Sequence, residues 1–334
     1  MEALEVVCPE PGAVRLETRP LASPGPGEAL VEVLYSAVSP GTERAWFLQE
    51  PDAPVRFPYR PGYAEVGVVR AIGPGVRGLA VGDRVVADGP HASHVLLAAE
   101  RLLPVPAGVD PVAAAFAPLG AIALQGVRRA GVELGASTCV LGAGLIGLLA
   151  LRLAREAGAH PLAVGEPSAF RRERAQAWGA CPALPPEELV PWATQVASPA
   201  SRPGGFVCVL DATGHPDAFA TAVAVAAEGA RVVLLGSPRG RAREVDLYAI
   251  HRKGLAVLGA HTATVPRRDT TRGRWTRSDD LRLLLALLAD GRLAWDGLVT
   301  DVVAPDGVPG LFARLAARDE RLLGAVIDWR LAAR

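Results

Sequence analysis

A glycine-rich turn occupies residues 142–147, with the sequence GAGLIG. The apolar run before it is typical of a short buried strand, and the leucines and alanines after it repeat at helical spacing. Glu166 follows 19 residues after Gly147, at the end of a second apolar run at 162–164. Such glycines let the backbone approach a pyrophosphate at a helix N-terminus, and the acid can accept hydrogen bonds from a ribose diol. The pattern predicts a dinucleotide site; the alternative is a turn that serves only helix–strand packing.

The elements around this turn alternate between strands and helices from about residue 136 to 260. Further strands are predicted at residues 206–210, 231–236 and 256–259, and a helix at 219–227. Alternation of this kind predicts an α/β fold with a doubly wound parallel sheet. The proline-rich stretch at 182–203 is predicted to be a surface excursion.

The first 120 or so residues are instead predicted to be rich in strands. Candidate strands lie at residues 29–35, 66–73 and 83–86, and residues 111–130 have a helical pattern. Near the end of the chain, Ser278 is predicted to cap a helix over residues 279–289. The last forty residues return to strand and helix fragments, which we expect to rejoin the first domain.

Composition excludes several classes of protein. Lysine plus arginine equals aspartate plus glutamate at 35 each, which gives no support for binding to nucleic acid or to a membrane surface. The four cysteines are scattered, so neither a zinc knuckle nor a disulfide framework is indicated. No apolar run approaches the roughly 18 residues of a membrane span, and the first residues do not resemble a signal peptide. A cytoplasmic protein is expected.

Three motifs carry a resemblance to the medium-chain dehydrogenase/reductase superfamily over essentially the whole chain. They are VGDRV at 81–85, the glycine turn at 142–147 and DATG at 211–214. The resemblance implies a GroES-like β domain at 1–122, completed by 263–334, and a Rossmann domain at 123–262. SPGTE at 39–43, GAIALQG at 120–126 and GAH at 259–261 resemble the branch that contains bacteriochlorophyllide dehydrogenase.

The chain departs from the zinc-binding members of this superfamily at each position of a zinc ligand. Pro40 stands in place of a cysteine, Gly62-Tyr63-Ala64 in place of Gly-His-Glu, and residues 117–120 hold no third ligand. A catalytic zinc ion needs three nitrogen, sulfur or carboxylate ligands. The resemblance therefore predicts a member without zinc; the alternative is a rebuilt site that uses His91, His94, Glu43 or Glu65.

Without a metal, hydrogen-bond donors must stabilise the oxygen whose charge changes during hydride transfer. Tyr63 could donate to a carbonyl oxygen as a general acid, or could simply fill the space of the metal. Thr42 matches the proton-relay hydroxyl of the family, or is a turn residue. Four further side chains are candidates for substrate contacts: His91, Glu65, Arg268 and Arg274. Arg268 and Arg274 belong to an arginine-rich loop at 262–277, which is alternatively a solvated loop or a subunit contact.

The resemblance also implies which residues bind the cofactor. They are Gly142, Gly144, Leu145, Ile146, Gly147, Glu166, Arg171, Thr213, Gly236, Ser237, Ala260 and His261. Glu166 favours NAD, because a carboxylate repels a 2′-phosphate while it binds the free diol. Arg171 and Arg172 keep NADP open, since a guanidinium could bind that phosphate.

The predicted function is therefore a zinc-independent NAD(P)-dependent oxidoreductase. It would transfer a hydride between nicotinamide and the carbonyl or alcohol of a small molecule. Two alternatives stay open: an NADPH-dependent quinone or enoyl reductase, and a protein that binds the cofactor without redox turnover. By resemblance, a homodimer formed through the Rossmann sheet is expected.

Overall fold

The computed structural model describes residues 1–196, 204–266 and 275–332. Its strands are β1 (Glu2–Val7), β2 (Arg15–Pro20), β3 (Glu28–Val38), β4 (Glu65–Ile72), β5 (Arg84–Ala87), β6 (His94–Ala98), β7 (Leu103–Pro104), β8 (Thr138–Leu141), β9 (Leu162–Gly165), β10 (Ala183–Leu184), β11 (Phe206–Asp211), β12 (Ala226–Leu234), β13 (Ala256–Gly259), β14 (Val299–Val303) and β15 (Gly324–Asp328). Its helices are α1 (Pro40–Phe47), α2 (Pro111–Ala115), α3 (Ala117–Ala130), α4 (Leu145–Glu156), α5 (Ala169–Ala177), α6 (Pro186–Ala193), α7 (Ala218–Val225), α8 (Leu247–Lys253), α9 (Arg277–Ala289) and α10 (Val308–Ala316).

The chain divides into two compact units. The first comprises Met1–Leu119 and Arg267–Arg334, and the second comprises Gly120–Pro266. Among the described residues, no helix is both long enough and apolar enough to cross a bilayer.

The first unit is built on a mixed sheet with the strand order β14-β15-β3-β4-β5-β7, to which β6 is added by pairing with β3. Strand β15 lies antiparallel to β3 and so brings the end of the chain into this sheet. The register places Ser36 opposite Ile327 on one side and opposite Glu65 on the other. Residues that face each other across neighbouring strands share one face of the sheet. The polar side chains of Ser36 and Glu65 therefore point to the same side.

The second unit is built on a parallel sheet with the strand order β10-β9-β8-β11-β12-β13. This order places the first three strands of the unit in reverse and the next three in sequence, which is the doubly wound Rossmann arrangement. Strands β8 and β9 are buried along their whole length, as expected for parallel strands covered by helices on both faces. Cys139 in β8 and Cys208 in β11 are buried as small core residues. The predicted fold class, a GroES-like domain with a Rossmann domain, is confirmed.

Two predictions within the second unit were wrong. The helix predicted at 219–227 ends at Val225, and β12 begins at once at Ala226 rather than at residue 231. The ammonium group of Lys253, the single lysine of the chain, donates to the carbonyls of Val223, Ala224 and Ala226 at 2.8, 3.0 and 2.8 Å. Carbonyls released at the end of the helix are thus satisfied by a distant side chain, which no local pattern reveals.

The proline-rich stretch was also predicted wrongly. Its described part contains β10, which extends the parallel sheet, and α6, whose Leu189 is fully buried in the core of the second unit. Proline stands in the first turn of α6, where its missing N–H costs nothing.

In the first unit, α9 begins at Arg277 after Thr276, not after Ser278. Thr276 and Asp279 form a reciprocal capping box that fixes this start.

Candidate functional site

The glycine turn of the second unit connects β8 to α4. Gly142 has a φ of +86°, a conformation that favours glycine, and a Cβ here would lie 3.1 Å from Thr213 Cα. A Cβ on Gly147 would lie 1.8 Å from the carbonyl oxygen of Gly142, so only glycine lets α4 pack this closely against the turn. These two positions explain why the turn needs glycine at its first and last positions.

The N-terminus of α4 is open to a ligand. Gly144 is the N-cap residue and supplies no side-chain hydrogen bond, so the first N–H groups of the helix, beginning with those of Leu145 and Ile146, have no capping side chain. A Cβ at Gly144 would lie 4.0 Å from the Nη1 atom of Arg171. Backbone donors, the positive end of a helix and a guanidinium meet here, which fits the pyrophosphate of a dinucleotide.

Glu166 lies at the end of β9 and is buried. Its Oε2 accepts a hydrogen bond from the backbone N–H of Ala143 at 2.7 Å, and its Oε1 accepts one from Ser168 at 2.9 Å. The carboxylate therefore ties the glycine turn to the loop after β9. Each carboxylate oxygen can accept a second hydrogen bond, so acceptors for a ribose diol remain.

The two arginines after Glu166 point in different directions. Arg172 donates to the carbonyls of Glu166 and Pro167 at 2.8 and 2.6 Å, which binds its guanidinium to the local backbone. Arg171 instead extends toward Gly144. Of this pair, Arg171 is the one placed to contact a phosphate group.

The remaining predicted cofactor residues follow the carboxyl ends of β11, β12 and β13. The Thr213 hydroxyl donates to Asp211 Oδ1 at 2.6 Å and accepts from the backbone of His215 at 3.0 Å. A Cβ on Gly236 would lie 2.5 Å from the backbone nitrogen of Gly214, so Gly236 and Ser237 run directly against the loop after β11. Parallel strands end at one edge of the sheet, which is why these loops converge.

Ala260 and His261 follow the end of β13. The backbone N–H of Ala260 donates to Leu234 at 3.1 Å, which keeps this loop beside β12. The His261 ring accepts from the backbone of Ala263 at 3.1 Å, and its carbonyl accepts from the Gln125 amide at 3.2 Å. The His261 ring thus caps a short 3₁₀ turn, Thr262–Thr264, in this conformation.

In the first unit, Tyr63 is half-buried beside the start of α1. Burial raises the pKa of its phenol to about 12, although hydrogen bonding by Ser39 and Thr42 acts in the opposite direction. Ser39 is the N-cap residue of α1, and Thr42 lies in its first turn. The structure therefore brings the two predicted residues Tyr63 and Thr42 together and adds Ser39, which sequence reasoning missed.

Behind Tyr63 lies a buried chain of hydrogen bonds. Glu43 accepts from the Ser39 backbone at 2.7 Å and contacts His91 Nε2 at 2.8 Å. His91 Nδ1 contacts the Ser36 hydroxyl at 2.8 Å, which in turn accepts from the Trp329 indole at 2.9 Å. With a proton on Nε2, His91 can donate to Glu43 while Nδ1 accepts from Ser36, so each member of this chain has a partner.

His91, which was predicted as a substrate contact, lies in the interior of the first unit. Its side chain is fully buried, and both ring nitrogens are already bonded to protein groups. A Cβ on Gly62, which has a φ of +104°, would lie 2.8 Å from the His91 ring. His91 thus packs against the backbone that carries Tyr63, and its role here is to support that backbone.

Glu65 is fully buried at the start of β4. Its Oε1 accepts from the backbone of Gly89 at 2.9 Å, whereas Oε2 has no hydrogen-bond partner among the described residues. Burial raises the pKa of this carboxyl to about 8, so it is protonated at neutral pH. The predicted substrate contact Glu65 is thus enclosed by protein in this conformation.

Within the described residues, the positions where the resemblance places zinc ligands do not form a three-ligand site. Pro40 offers no ligand atom, and the ring of His91 is held by Glu43 and Ser36. No cluster of three histidine, cysteine, aspartate or glutamate side chains with metal-binding geometry occurs in the part of the chain that the structure describes. The predicted substrate candidates Arg268 and Arg274 lie outside the described residues.

Comparison with known proteins matches both units. The family model for the alcohol dehydrogenase GroES-like domain matches residues 25–107, and that for zinc-binding dehydrogenases matches residues 146–277. L-threonine 3-dehydrogenase from Thermococcus kodakarensis is 31% identical over 269 residues, which are 71% of this chain and 75% of that protein. The 2-desacetyl-2-hydroxyethyl bacteriochlorophyllide A dehydrogenase from Rhodobacter capsulatus is 27% identical over 343 residues, 99% of each chain.

Solved structures agree in fold. A zinc-binding dehydrogenase from Sinorhizobium meliloti 1021, bound to NADP, has a TM-score of 0.82 and 24% identity and covers 98% of this chain and 99% of its own. A short-chain alcohol dehydrogenase from E. coli CFT073, in complex with NADH, has a TM-score of 0.82 and 18% identity with the same coverage. The two family models and the L-threonine 3-dehydrogenase relative show that the chain belongs to the medium-chain dehydrogenase/reductase superfamily of NAD(P)-dependent oxidoreductases.

Proposed function

We propose that this enzyme transfers a hydride between a nicotinamide cofactor and the carbonyl or alcohol of a small molecule without using zinc. The observation that carries the proposal is Tyr63. A half-buried phenol, flanked by the hydroxyl residues Ser39 and Thr42, stands at the position where the family resemblance places a zinc ligand. The second unit would bind the cofactor through the glycine turn and Glu166.

The cofactor, when bound, supplies or accepts the hydride. Reduction of a carbonyl adds this hydride to carbon and requires a proton on oxygen. With a pKa of about 12, the Tyr63 phenol keeps its proton at neutral pH and can donate a hydrogen bond to that oxygen. In this proposal Thr42 and Ser39, which hydrogen-bond with the phenol, hold it in position and return a proton to it.

Replacing the phenol by a phenyl ring tests this role. We expect Tyr63→Phe to lower kcat at least tenfold, because a donor to the charged oxygen is worth about 2–4 kcal/mol in the transition state. The dissociation constant for the cofactor should not change. The control is Tyr248→Phe, which removes an exposed phenol from the second unit. Unchanged kcat in Tyr63→Phe would remove the phenol from the mechanism.

Metal content tests zinc independence directly. We expect purified enzyme to retain turnover after dialysis against a chelator, with less than stoichiometric zinc by elemental analysis. Activity would be followed with aldehydes, ketones, quinones and enoyl thioesters. Turnover confined to quinones or enoyl thioesters would favour the reductase alternative, and tight cofactor binding without any turnover would favour a binding protein. Stoichiometric zinc whose removal abolishes activity would contradict the proposal.

For the cofactor we propose NAD, with Glu166 as the acceptor for the ribose diol. Its buried carboxylate would oppose a 2′-phosphate at this position. We expect NADH to bind more tightly than NADPH in a tryptophan-fluorescence titration. Arg171→Gln should weaken NADPH more than NADH, and the matched control is Arg172→Gln, whose guanidinium binds local carbonyls. Tighter binding of NADPH by the unmodified enzyme would overturn the choice of NAD.

We also propose that the enzyme is a homodimer formed along the outer edge of the parallel sheet. Strand β13 is the last strand on that side, and Val257 within it is 40% exposed. Helix α8 adds two large exposed apolar side chains, Leu247 and Tyr248. An unpaired strand edge with apolar side chains is a surface that a second chain can extend.

A further inference from the structure

A cluster of charged side chains lies near Tyr63 in the first unit: Asp88, Arg101 and Arg277, with Glu65 behind them. Asp88 Oδ1 accepts from Arg101 Nε at 2.7 Å, and its Oδ2 lies 3.6 Å from Arg277 Nη1. Gly89, the next residue, donates its N–H to Glu65, which stands two residues after Tyr63. Arg277 is close enough to Tyr63 for its charge to lower the pKa of the phenol.

The charges of this cluster do not cancel. Two guanidinium groups face the single carboxylate of Asp88, because the buried Glu65 keeps its proton at neutral pH. One positive charge is left over among these four groups. The Glu43 carboxylate also acts on this phenol, but it is buried and already bonded to the Ser39 backbone and to His91, whereas Arg277 is partly exposed and can attract an anionic ligand.

Arg277 is the arginine of this cluster that makes no hydrogen bond to Asp88. Arg101 uses Nε for the Asp88 carboxylate and Nη2 for the Asp88 carbonyl, both at 2.7 Å. The separation of 3.6 Å between Arg277 and Asp88 is too long for a hydrogen bond. The side chain of Arg277 is 28% exposed, and the capping box of Thr276 fixes the backbone immediately before it.

We propose that Arg277 binds an anionic group of the substrate, a carboxylate or a phosphate, next to the carbonyl that Tyr63 serves. A guanidinium recognises either group through two parallel hydrogen bonds. Asp88 would attract the Arg277 guanidinium weakly until the anionic group of the substrate takes the place of the Asp88 carboxylate. This inference rests on the proposed function, which supplies the position of the reacting carbonyl. Binding of the anion can be tested even if that function is wrong.

Pairs of aldehydes with and without an anionic group test this inference: 4-carboxybenzaldehyde against its methyl ester, 4-oxobutanoate against its methyl ester, and glyceraldehyde 3-phosphate against glyceraldehyde. We expect a higher kcat/KM for the charged member in at least one pair. Arg277→Gln should reduce that preference at least tenfold. The control Arg282→Gln removes a positive charge from the same helix, where Arg282 pairs with Asp279 at the surface, and should keep the preference.

A second variant guards against a folding defect in the first. Asp88→Asn leaves Arg277 in place and removes the competing carboxylate, so it should lower KM for the charged member or leave it unchanged. Calorimetric titration of the enzyme–cofactor complex with 4-carboxybenzoate and with 4-carbamoylbenzoate methyl ester separates binding from turnover.

Three outcomes are decisive. Turnover of the pairs without preference for charge, or equal losses for both members in Arg277→Gln, overturns the inference and leaves the proposed function standing. Binding of 4-carboxybenzoate that is lost in Arg277→Gln, in an enzyme that reduces no aldehyde, supports the inference while the proposed function fails. Absence of both charge preference and anion binding overturns the inference.

Discussion

At the scale of single residues, Glu65 shows how burial sets the charge of a group. Its carboxyl lies wholly inside the first unit, with one backbone donor from Gly89. Burial raises its pKa from the ordinary 4.5 to about 8; the charge of Asp88 adds to this effect, and that of Arg101 opposes it. At neutral pH this carboxyl is therefore uncharged and does not offset the positive charge of the nearby Arg101.

This residue should make the stability of the protein depend on pH. Between pH 4.5 and 8 the folded carboxyl keeps a proton that the unfolded chain has lost, so the free energy of unfolding falls as pH rises through this window. The loss should be on the order of a few kcal/mol. Glu65→Gln should remove this decline, measured by urea denaturation at pH 5 and pH 8.5. The exposed Glu10→Gln serves as control, and parallel profiles of Glu65→Gln and the parent protein would contradict the assignment.

At the scale of elements, the glycine turn shows how backbone geometry creates a binding site. Gly142 provides the left-handed turn, and Gly147 allows α4 to approach it. Together they bring the uncapped start of α4 close to the end of β9 and to the loop that holds Thr213. Side chains contribute mainly by holding these backbones together, as Glu166 does through Ala143 and Ser168.

A methyl group at the last position of the turn should disrupt this arrangement. Gly147→Ala places a Cβ 1.8 Å from the Gly142 carbonyl, which must shift α4. We expect cofactor affinity to fall at least tenfold and the melting temperature to fall, by fluorescence titration and calorimetry. Gly310→Ala in α10 is the control, because its Cβ meets no atom within 4 Å and alanine favours a helix. Unchanged affinity in Gly147→Ala would show that α4 tolerates the shift.

At the scale of the whole molecule, each unit has its own sheet and buried core. The first unit takes strands from both ends of the chain, since β15 pairs with β3. The second unit leaves β13 at the edge of its sheet with apolar side chains exposed. Assembly is therefore expected at the second unit.

A charge on that edge should separate the proposed dimer. Val257→Asp places a carboxylate on β13, where pairing with a second copy would bury it without a partner. Light scattering after size exclusion should change from the mass of two chains to that of one. Val81→Asp, at an exposed site of the first unit, should leave the dimer intact. A parent protein that elutes as a monomer would rule out this interface.

Features that depend on neighbours in the chain could be predicted from the sequence. The glycine turn, the acid 19 residues beyond it and the alternation of strands and helices are local patterns, and they led to the fold class and the cofactor region. The end of α7 and the start of α9 were predicted wrongly. The end of α7 is set by Lys253, which caps carbonyls 27 to 30 residues away. The start of α9 is set by the capping box of Thr276, which competes with Ser278 as the cap.

Side-chain partnerships across the chain were decided by the tertiary structure alone. Ser36 meets Trp329 across 293 residues and His91 across 55, because strand register brings β3 and the segment after β15 together. The same packing turns His91 inward, protonates Glu65 and places Arg277 beside Asp88. Spacing along the sequence identifies residues that a local turn or helix must position. It cannot identify which distant side chains share a buried space, since that depends on the register of strands far apart in the chain.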